Sequence, residues 1–110
     1  MIEQIAGEPA STAKRGEPAE KHIPVLEKVD DKQVLVKVGA TAHPMLEEHW
    51  IQWIELYKDG QLTEHKDLNP GDQAQAIFEV EFNSLDQLMA KERCNIHGTW
   101  QSDKGKVEEQ

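Results

Sequence analysis

Short runs of β-forming residues, each closed by turn residues, constrain the fold of this chain more than any other feature. In the clearest run, AIFEVEF, apolar and acidic side chains alternate, with Ala76, Phe78, Val80 and Phe82 on one face and Glu79 and Glu81 on the other. Because successive side chains of a strand point to opposite sides, this alternation predicts a strand with one buried face.

Turn residues indicate where further strands begin and end. HIPVLEKV and QVLVKVG are β-type runs that are followed by Asp-Asp or end at Gly. The stretch MLEEHWIQWIELY is ambiguous, because its first half suits a helix whereas WIQWIELY suits a strand. Lys58-Asp59-Gly60 supplies a hairpin turn with QLTEHKDL as the returning arm, and Asn69-Pro70-Gly71-Asp72 is a second turn. These turns favour a strand for WIQWIELY.

The other segments have weaker patterns. SLDQLMAKER predicts one or two helical turns with Ser84 as the candidate N-cap, and the polar tail SDKGKVEEQ is predicted to fray. Residues 1–19 mix small, polar and charged residues without a period, which predicts a flexible leader. Several short strands with little helix predict an all-β chain, in the form of a small antiparallel immunoglobulin-like β-sandwich or barrel.

Size and charge exclude several classes of protein. A chain of 110 residues has room for one domain. Twelve Lys and Arg against 21 Asp and Glu give a net charge of −9, which disfavours nucleic acid and anionic membranes as partners. The apolar runs are far shorter than the ~20 residues of a membrane span. With one cysteine and no apolar signal segment at the start, we expect a soluble protein of the reducing cytoplasm.

The histidines and the cysteine are the residues most suited to a chemical site. Four histidines lie beside turns or strand ends, namely His22, His43, His49 and His97, whereas His65 lies in the returning arm of the hairpin. Cys94 precedes His97 by three residues in a segment that ends at Gly98, a spacing that lets a tight turn direct two donors to one ion. Each residue alone is more simply explained as a surface or core residue, so their grouping indicates a metal site without excluding that explanation.

The set of donors distinguishes among metals and chemistries. Zinc prefers four ligands, whereas iron readily takes five and leaves a sixth position open. Blue copper requires two histidines, a cysteine and usually a nearby methionine, and no methionine follows His97. A cysteine hydrolase would need a histidine base for Cys94 and a third orienting group, which the sequence does not mark. Iron is therefore the favoured metal.

Three segments resemble the motifs of the superoxide reductase family, the neelaredoxin and desulfoferrodoxin iron proteins. They are EKHIPVLE, GATAHPMLEEHWIQWIEL and CNIHGTW, in the family's order, and together they span residues 20–100. The resemblance implies that residues 20–110 form an iron-binding domain. It places His22, His43, His49 and His97 in a plane around one non-haem iron, with the Cys94 thiolate axial and the opposite position open. A single cysteine corresponds to the branch with one iron.

The resemblance also implies an enzyme. In such a protein, ferrous iron passes one electron to superoxide, hydrogen peroxide leaves after protonation, and no oxygen is released. The axial thiolate donates electron density that favours release of the product. Lys21 would attract the anionic substrate and supply protons, and Glu20 would occupy the open position of oxidised iron. Without the resemblance, both residues are most simply a solvated charge pair.

The implied partners are superoxide, a rubredoxin-like or other small electron donor, and further copies of the chain, with a tetramer favoured over a dimer. The alternative is a non-enzymatic β-sandwich that binds a metal for electron transfer or as a structural element. An open sixth position on the metal favours the enzyme, whereas a closed coordination shell favours the alternative.

Overall fold

Two antiparallel sheets form the fold in the computed structural model, which describes residues 21–39, 41–103 and 105–107. Within these residues the strands are β1 (Pro24–Asp30), β2 (Gln33–Val38), β3 (Ile51–Lys58), β4 (Gln61–Asp67), β5 (Gln75–Glu79), β6 (Leu88–Cys94), β7 (Gly98–Gln101) and β8 (Gly105–Val107). One sheet has the order β1-β2-β5 and the other β4-β3-β6-β7-β8. The predicted all-β antiparallel class is confirmed. The predicted leader, residues 1–19, lies outside the described residues.

Alternating apolar residues from both sheets form the core. The buried members include Val34, Val36 and Val38 of β2, Ile51, Ile54 and Leu56 of β3, and Ala76 and Phe78 of β5. The predicted face of AIFEVEF is correct, since Phe82 is also buried and Val80 packs against the core. The strand itself ends at Glu79, and the next residues follow the β1–β2 turn, where the Val80 backbone N–H donates to Lys32 O at 3.0 Å.

The β3–β4 hairpin forms as the sequence predicts. Lys58 pairs with Gln61 across a two-residue loop, and both loop residues have positive φ, at 51° for Asp59 and 84° for Gly60. This is the conformation that Asp-Gly turns favour, because glycine and aspartate tolerate it better than most residues. The ambiguous segment is a strand only from Ile51 onward.

One prediction of local structure was confirmed only in part, and another was wrong. SLDQLMAKER forms only a single 3₁₀ turn at Leu85–Gln87, which Ser84 caps as predicted, and its remainder belongs to β6. The reason is tertiary, since β6 pairs with β3 on one side and with β7 on the other. In the tail that was predicted to fray, Gly105–Val107 pairs with β7 as β8, which is an edge strand of the five-stranded sheet.

The strand ends bring the candidate donors to one end of the sandwich. His22 precedes β1, whereas His43 and His49 lie in the connection between β2 and β3. Cys94 is the last residue of β6, and His97 lies in the turn before β7. Because Ile51 pairs with Cys94, the start of β3 and the end of β6 are adjacent. None of the helical segments in the described part of the chain has the length and apolar character needed to cross a membrane.

Candidate metal centre

Five side chains from three separate segments converge at this end of the fold. Among the described residues, one donor atom from each lies within 4.8 Å of the others, and the five residues are His22, His43, His49, Cys94 and His97. The two closest contacts join His22 Nε2 to His43 Nε2 at 3.0 Å and to His97 Nδ1 at 3.1 Å. Two atoms that bind one ion at right angles, each about 2.1 Å from it, are separated by about 3.0 Å. These contacts therefore suit neighbouring ligands of a shared ion.

The segment before β1 carries His22, which is 2% exposed. Its ring stacks on the indole of Trp100 in β7, with centroids 4.9 Å apart and planes 20° apart. The Trp100 indole N–H also donates to the backbone carbonyl of His97 at 3.3 Å. One indole thus contacts two of the candidate donors and restrains the ring plane of His22.

The histidine loop, residues 43–49, carries two of the donors. His43 is buried, and its Nδ1 lies 2.6 Å from the carbonyl of Pro44, so Nδ1–H donates and the Nε2 lone pair faces the cluster. The pKa of His43 is lowered from 6.5 to about 4, mainly by burial and to a smaller extent by the nearby His49, His97 and Lys21, although the hydrogen bond to Pro44 raises it in part. His43 is therefore neutral at pH 7, as a metal ligand must be.

His49 stands at the other end of the histidine loop. Its backbone exchanges hydrogen bonds with Leu46, which closes the loop on itself, at 2.9 Å and 3.0 Å. Its Nε2 is buried and has no hydrogen-bond partner among the described residues. A buried nitrogen without a partner is costly unless something binds it, and a metal ion would satisfy it.

The CNIH turn, residues 94–97, holds the sulfur and the fifth donor. Cys94 is fully buried, and the backbone N–H of His97 points at its Sγ from 3.4 Å. Gly98 closes the turn with a φ of 88°, a conformation that side-chain-bearing residues rarely adopt. Burial raises the pKa of the Cys94 thiol above its usual 9.0, so metal binding must displace the proton. Four imidazoles and one sulfur suit an ion of intermediate softness such as iron.

The remaining predicted residues are placed as follows. Lys21 immediately precedes His22, and both residues have a helical backbone, whereas Glu20 lies outside the described residues. His65 is on β4, where its ring bridges Glu55 at 2.8 Å and Asp67 at 2.7 Å. His65 is not among the five converging donors, as the sequence predicted.

The sequence analysis missed three residues that surround the donors. Glu92 of β6 is fully buried, both its carboxylate oxygens have no partner in the described part of the chain, and burial raises its pKa to about 9. It is therefore uncharged at pH 7, so it adds no negative charge beside the Cys94 sulfur. Trp100 and Asn95 contact the donor segments directly. Treating β6 as a strand would have placed Glu92 on the same face as Cys94.

Comparisons of this chain with known proteins agree on one family. The family model described as Desulfoferrodoxin matches residues 14–103. A desulfoferrodoxin homolog of Archaeoglobus fulgidus is 51% identical over 83 residues, which cover 76% of this chain and 62% of that protein. The chain thus spans about three fifths of the length of that relative.

Proteins named superoxide reductase are also similar to this chain. The superoxide reductase of Pyrococcus abyssi is 38% identical over 100 residues, covering 76% of this chain and 85% of that protein. The crystal structure of the superoxide reductase from Treponema pallidum has a TM-score of 0.63 and 40% identity, covering 74% of this chain and 64% of that one. The likeness therefore extends to both the sequence and the fold.

Proposed function

Because the chain belongs to the desulfoferrodoxin family, we propose that it is a superoxide reductase with one non-haem iron. The observation that carries the proposal is the convergence of four imidazoles and one sulfur within 4.8 Å. In this proposal His22, His43, His49, Cys94 and His97 hold the iron. Five ligands leave one position for a substrate, and bound iron would supply the electron that converts superoxide, with two protons, into hydrogen peroxide.

The protein's own groups prepare this site. Burial keeps His43 neutral, and its bond to the Pro44 carbonyl directs the remaining lone pair inward. The His97 backbone N–H supports a negative charge on Cys94 Sγ. In the proposal, the Cys94 thiolate would donate electron density to bound iron, which would favour release of the product.

Two charged residues are proposed to handle the substrate. The positive charge of Lys21 lies close enough to His43 to lower its pKa, which supports a role in attracting the superoxide anion and supplying protons. Glu20, which matches a family glutamate, is proposed as a further residue that would hold the metal in its oxidised form. A small electron donor, rubredoxin-like or otherwise, would return the centre to its ferrous form.

We further propose an assembly of identical chains, with a tetramer favoured over a dimer. Residues 20–110 would form the iron-binding domain, and residues 1–19 would precede it. A reducing compartment such as the cytoplasm would keep Cys94 available as a ligand.

The test begins with the metal content of protein expressed in iron-rich medium. We expect about one iron per chain and negligible zinc, together with a visible sulfur-to-iron band in the oxidised protein. Under a steady supply of superoxide and reductant, the peroxide formed should equal the superoxide consumed, and no oxygen should appear. Stoichiometric zinc without iron would contradict the metal assignment. Iron-loaded protein that leaves superoxide unchanged would instead favour an electron-transfer or structural module.

Cys94→Ser provides the matched variant for the spectrum. The visible band should disappear while the circular dichroism of the strands is retained, because Cys94 is only one of the residues that form the core and serine has nearly the same shape. A band that persists in the variant would show that the colour arises from another ligand and not from Cys94.

A further inference from the structure

Asn95, in the CNIH turn, connects two of the segments that carry the donors. Its Oδ1 accepts a hydrogen bond from the Trp50 backbone N–H at 2.9 Å, and its Nδ2 donates to the Glu48 carbonyl at 3.1 Å. Its backbone N–H donates to the Trp50 carbonyl at 3.2 Å. The two residues that it binds lie on either side of His49. One side chain therefore forms hydrogen bonds with the backbone both before and after that donor.

We propose that Asn95 is a positioning residue that holds His49 against the CNIH turn and thereby makes the site selective for iron over zinc. The internal bonds of the histidine loop, between His49 and Leu46, fix the shape of the loop but not its distance from the turn. Together with the backbone bond from Asn95 to Trp50, the Asn95 amide sets that distance, because it offers a donor and an acceptor in one rigid plane. This inference rests on the proposed iron site.

Selectivity follows from the number of donors. If His49 is displaced, three histidines and one cysteine remain, which is a set of four that zinc accepts readily. With His49 held in place, the five donors exceed the four that zinc prefers and suit iron. The Nε2 of His49 is buried and has no hydrogen-bond partner among the described residues. It can bind an ion only if the histidine loop is held in the correct position. The position of His49 therefore decides whether four or five donors are available to the ion.

The experiment measures the affinities of the full chain for Fe²⁺ and for Zn²⁺ by anaerobic competition with a chelator. Asn95→Ala should weaken Fe²⁺ binding about 10- to 100-fold, as removal of groups that orient metal ligands typically does, and should change Zn²⁺ binding far less. The Co²⁺-loaded variant should show stronger d–d absorption than wild type, because four-coordinate Co²⁺ absorbs more strongly than five-coordinate Co²⁺. Equal losses for both metals, or an unchanged Co²⁺ spectrum, would overturn the proposal.

Combination with His49→Ala tests whether Asn95 acts through His49. If it does, the double variant should bind Fe²⁺ no more weakly than His49→Ala alone. Additive losses would mean that Asn95 acts elsewhere and would refute the assignment. Asn83→Ala, at an exposed asparagine in the loop before β6, should bind both metals as wild type does.

Asn95→Asp keeps the test decisive if the alanine variant does not fold. Aspartate retains the acceptor for the Trp50 N–H but places an oxygen against the Glu48 carbonyl, so an intermediate loss of Fe²⁺ affinity is expected. Wild-type Fe²⁺ affinity in the aspartate variant would overturn the proposal. Wild-type protein that does not bind Fe²⁺ would refute the proposed function itself, which is a separate outcome.

Discussion

Two histidines of this chain respond to their surroundings in opposite directions. Burial lowers the pKa of His43 to about 4, which leaves a neutral imidazole with a free lone pair at pH 7. Hydrogen bonds to Asp67 and Glu55 raise the pKa of His65 above 6.5, which favours a charged ring with both nitrogens acting as donors. The first environment suits a metal ligand, whereas the second suits a surface ion pair.

His65→Gln should therefore leave the iron content unchanged and alter only the pH dependence of stability. Because the pKa of His65 is raised by folding, its contribution is complete below the unfolded value of about 6.5 and is lost as pH rises through the folded value. The free energy of unfolding of wild type should fall over that range relative to His65→Gln. Urea denaturation at several pH values measures the difference.

Thr63→Ala, on the same exposed strand, serves as the control and should follow the wild-type pH profile. Parallel profiles for wild type and His65→Gln would show that the two carboxylates do not stabilise the charged ring. Loss of iron in His65→Gln would mean that the proposed set of ligands is wrong.

At the scale of elements, the β3–β4 hairpin depends on backbone conformations that few residues adopt. Asp59 and Gly60 both have positive φ, as the tightest antiparallel turns require. A Cβ added at Gly60 would meet no atom within 4 Å, so the cost of a larger residue there is conformational rather than steric crowding.

Gly60→Ala should lower the free energy of unfolding by about 1–2 kcal/mol, the usual cost of placing an L-residue in the left-handed region. The midpoint of urea denaturation measures it. Asp59→Asn is the matched control and should have little effect, because asparagine tolerates positive φ. An unchanged midpoint in Gly60→Ala would indicate that the turn relaxes to another conformation.

At the scale of the whole molecule, the net charge of −9 opposes the approach of the proposed substrate, the superoxide anion. Local positive charge must overcome this repulsion near the metal centre, and Lys21 adjoins the candidate ligand His22. Attraction by one partly screened charge amounts to about 1–3 kcal/mol.

Lys21→Ala should slow the reaction with superoxide by roughly one to two powers of ten at low salt, and the difference should shrink as salt is added. Pulse radiolysis at several ionic strengths, on protein of verified iron content, measures the rate and its dependence on salt. Lys28→Ala is the matched control, because it changes the net charge equally at an exposed position on β1. If both variants slow the reaction equally, the effect belongs to the net charge and not to Lys21.

Local patterns in the sequence were sufficient to predict much of this protein. Alternation in AIFEVEF, the Asp59-Gly60 turn and the Ser84 cap involve residues a few positions apart, so their physics is contained within a short segment. The types and spacing of the donors, including the C-x-x-H segment, likewise indicate a metal site, because the ligand atoms that a metal requires are a property of the residue types themselves. Their positions beside turns and strand ends singled out four of the histidines, and the resemblance to a known family then implied that these four are the ligands.

Tertiary structure decided the features that join distant segments. Residues 88–94 form a strand rather than a helix because β3 and β7 lie on either side, and that pairing buries Glu92 beside Cys94. Asn95 meets residues that are 45 and 47 positions away, and His97 meets His22 across 75 positions. The sequence by itself determined the strand pattern, the turns and the kinds of donor. Their arrangement around one point was decided by the folded path of the chain, because contacts over such separations depend on how the two sheets pack.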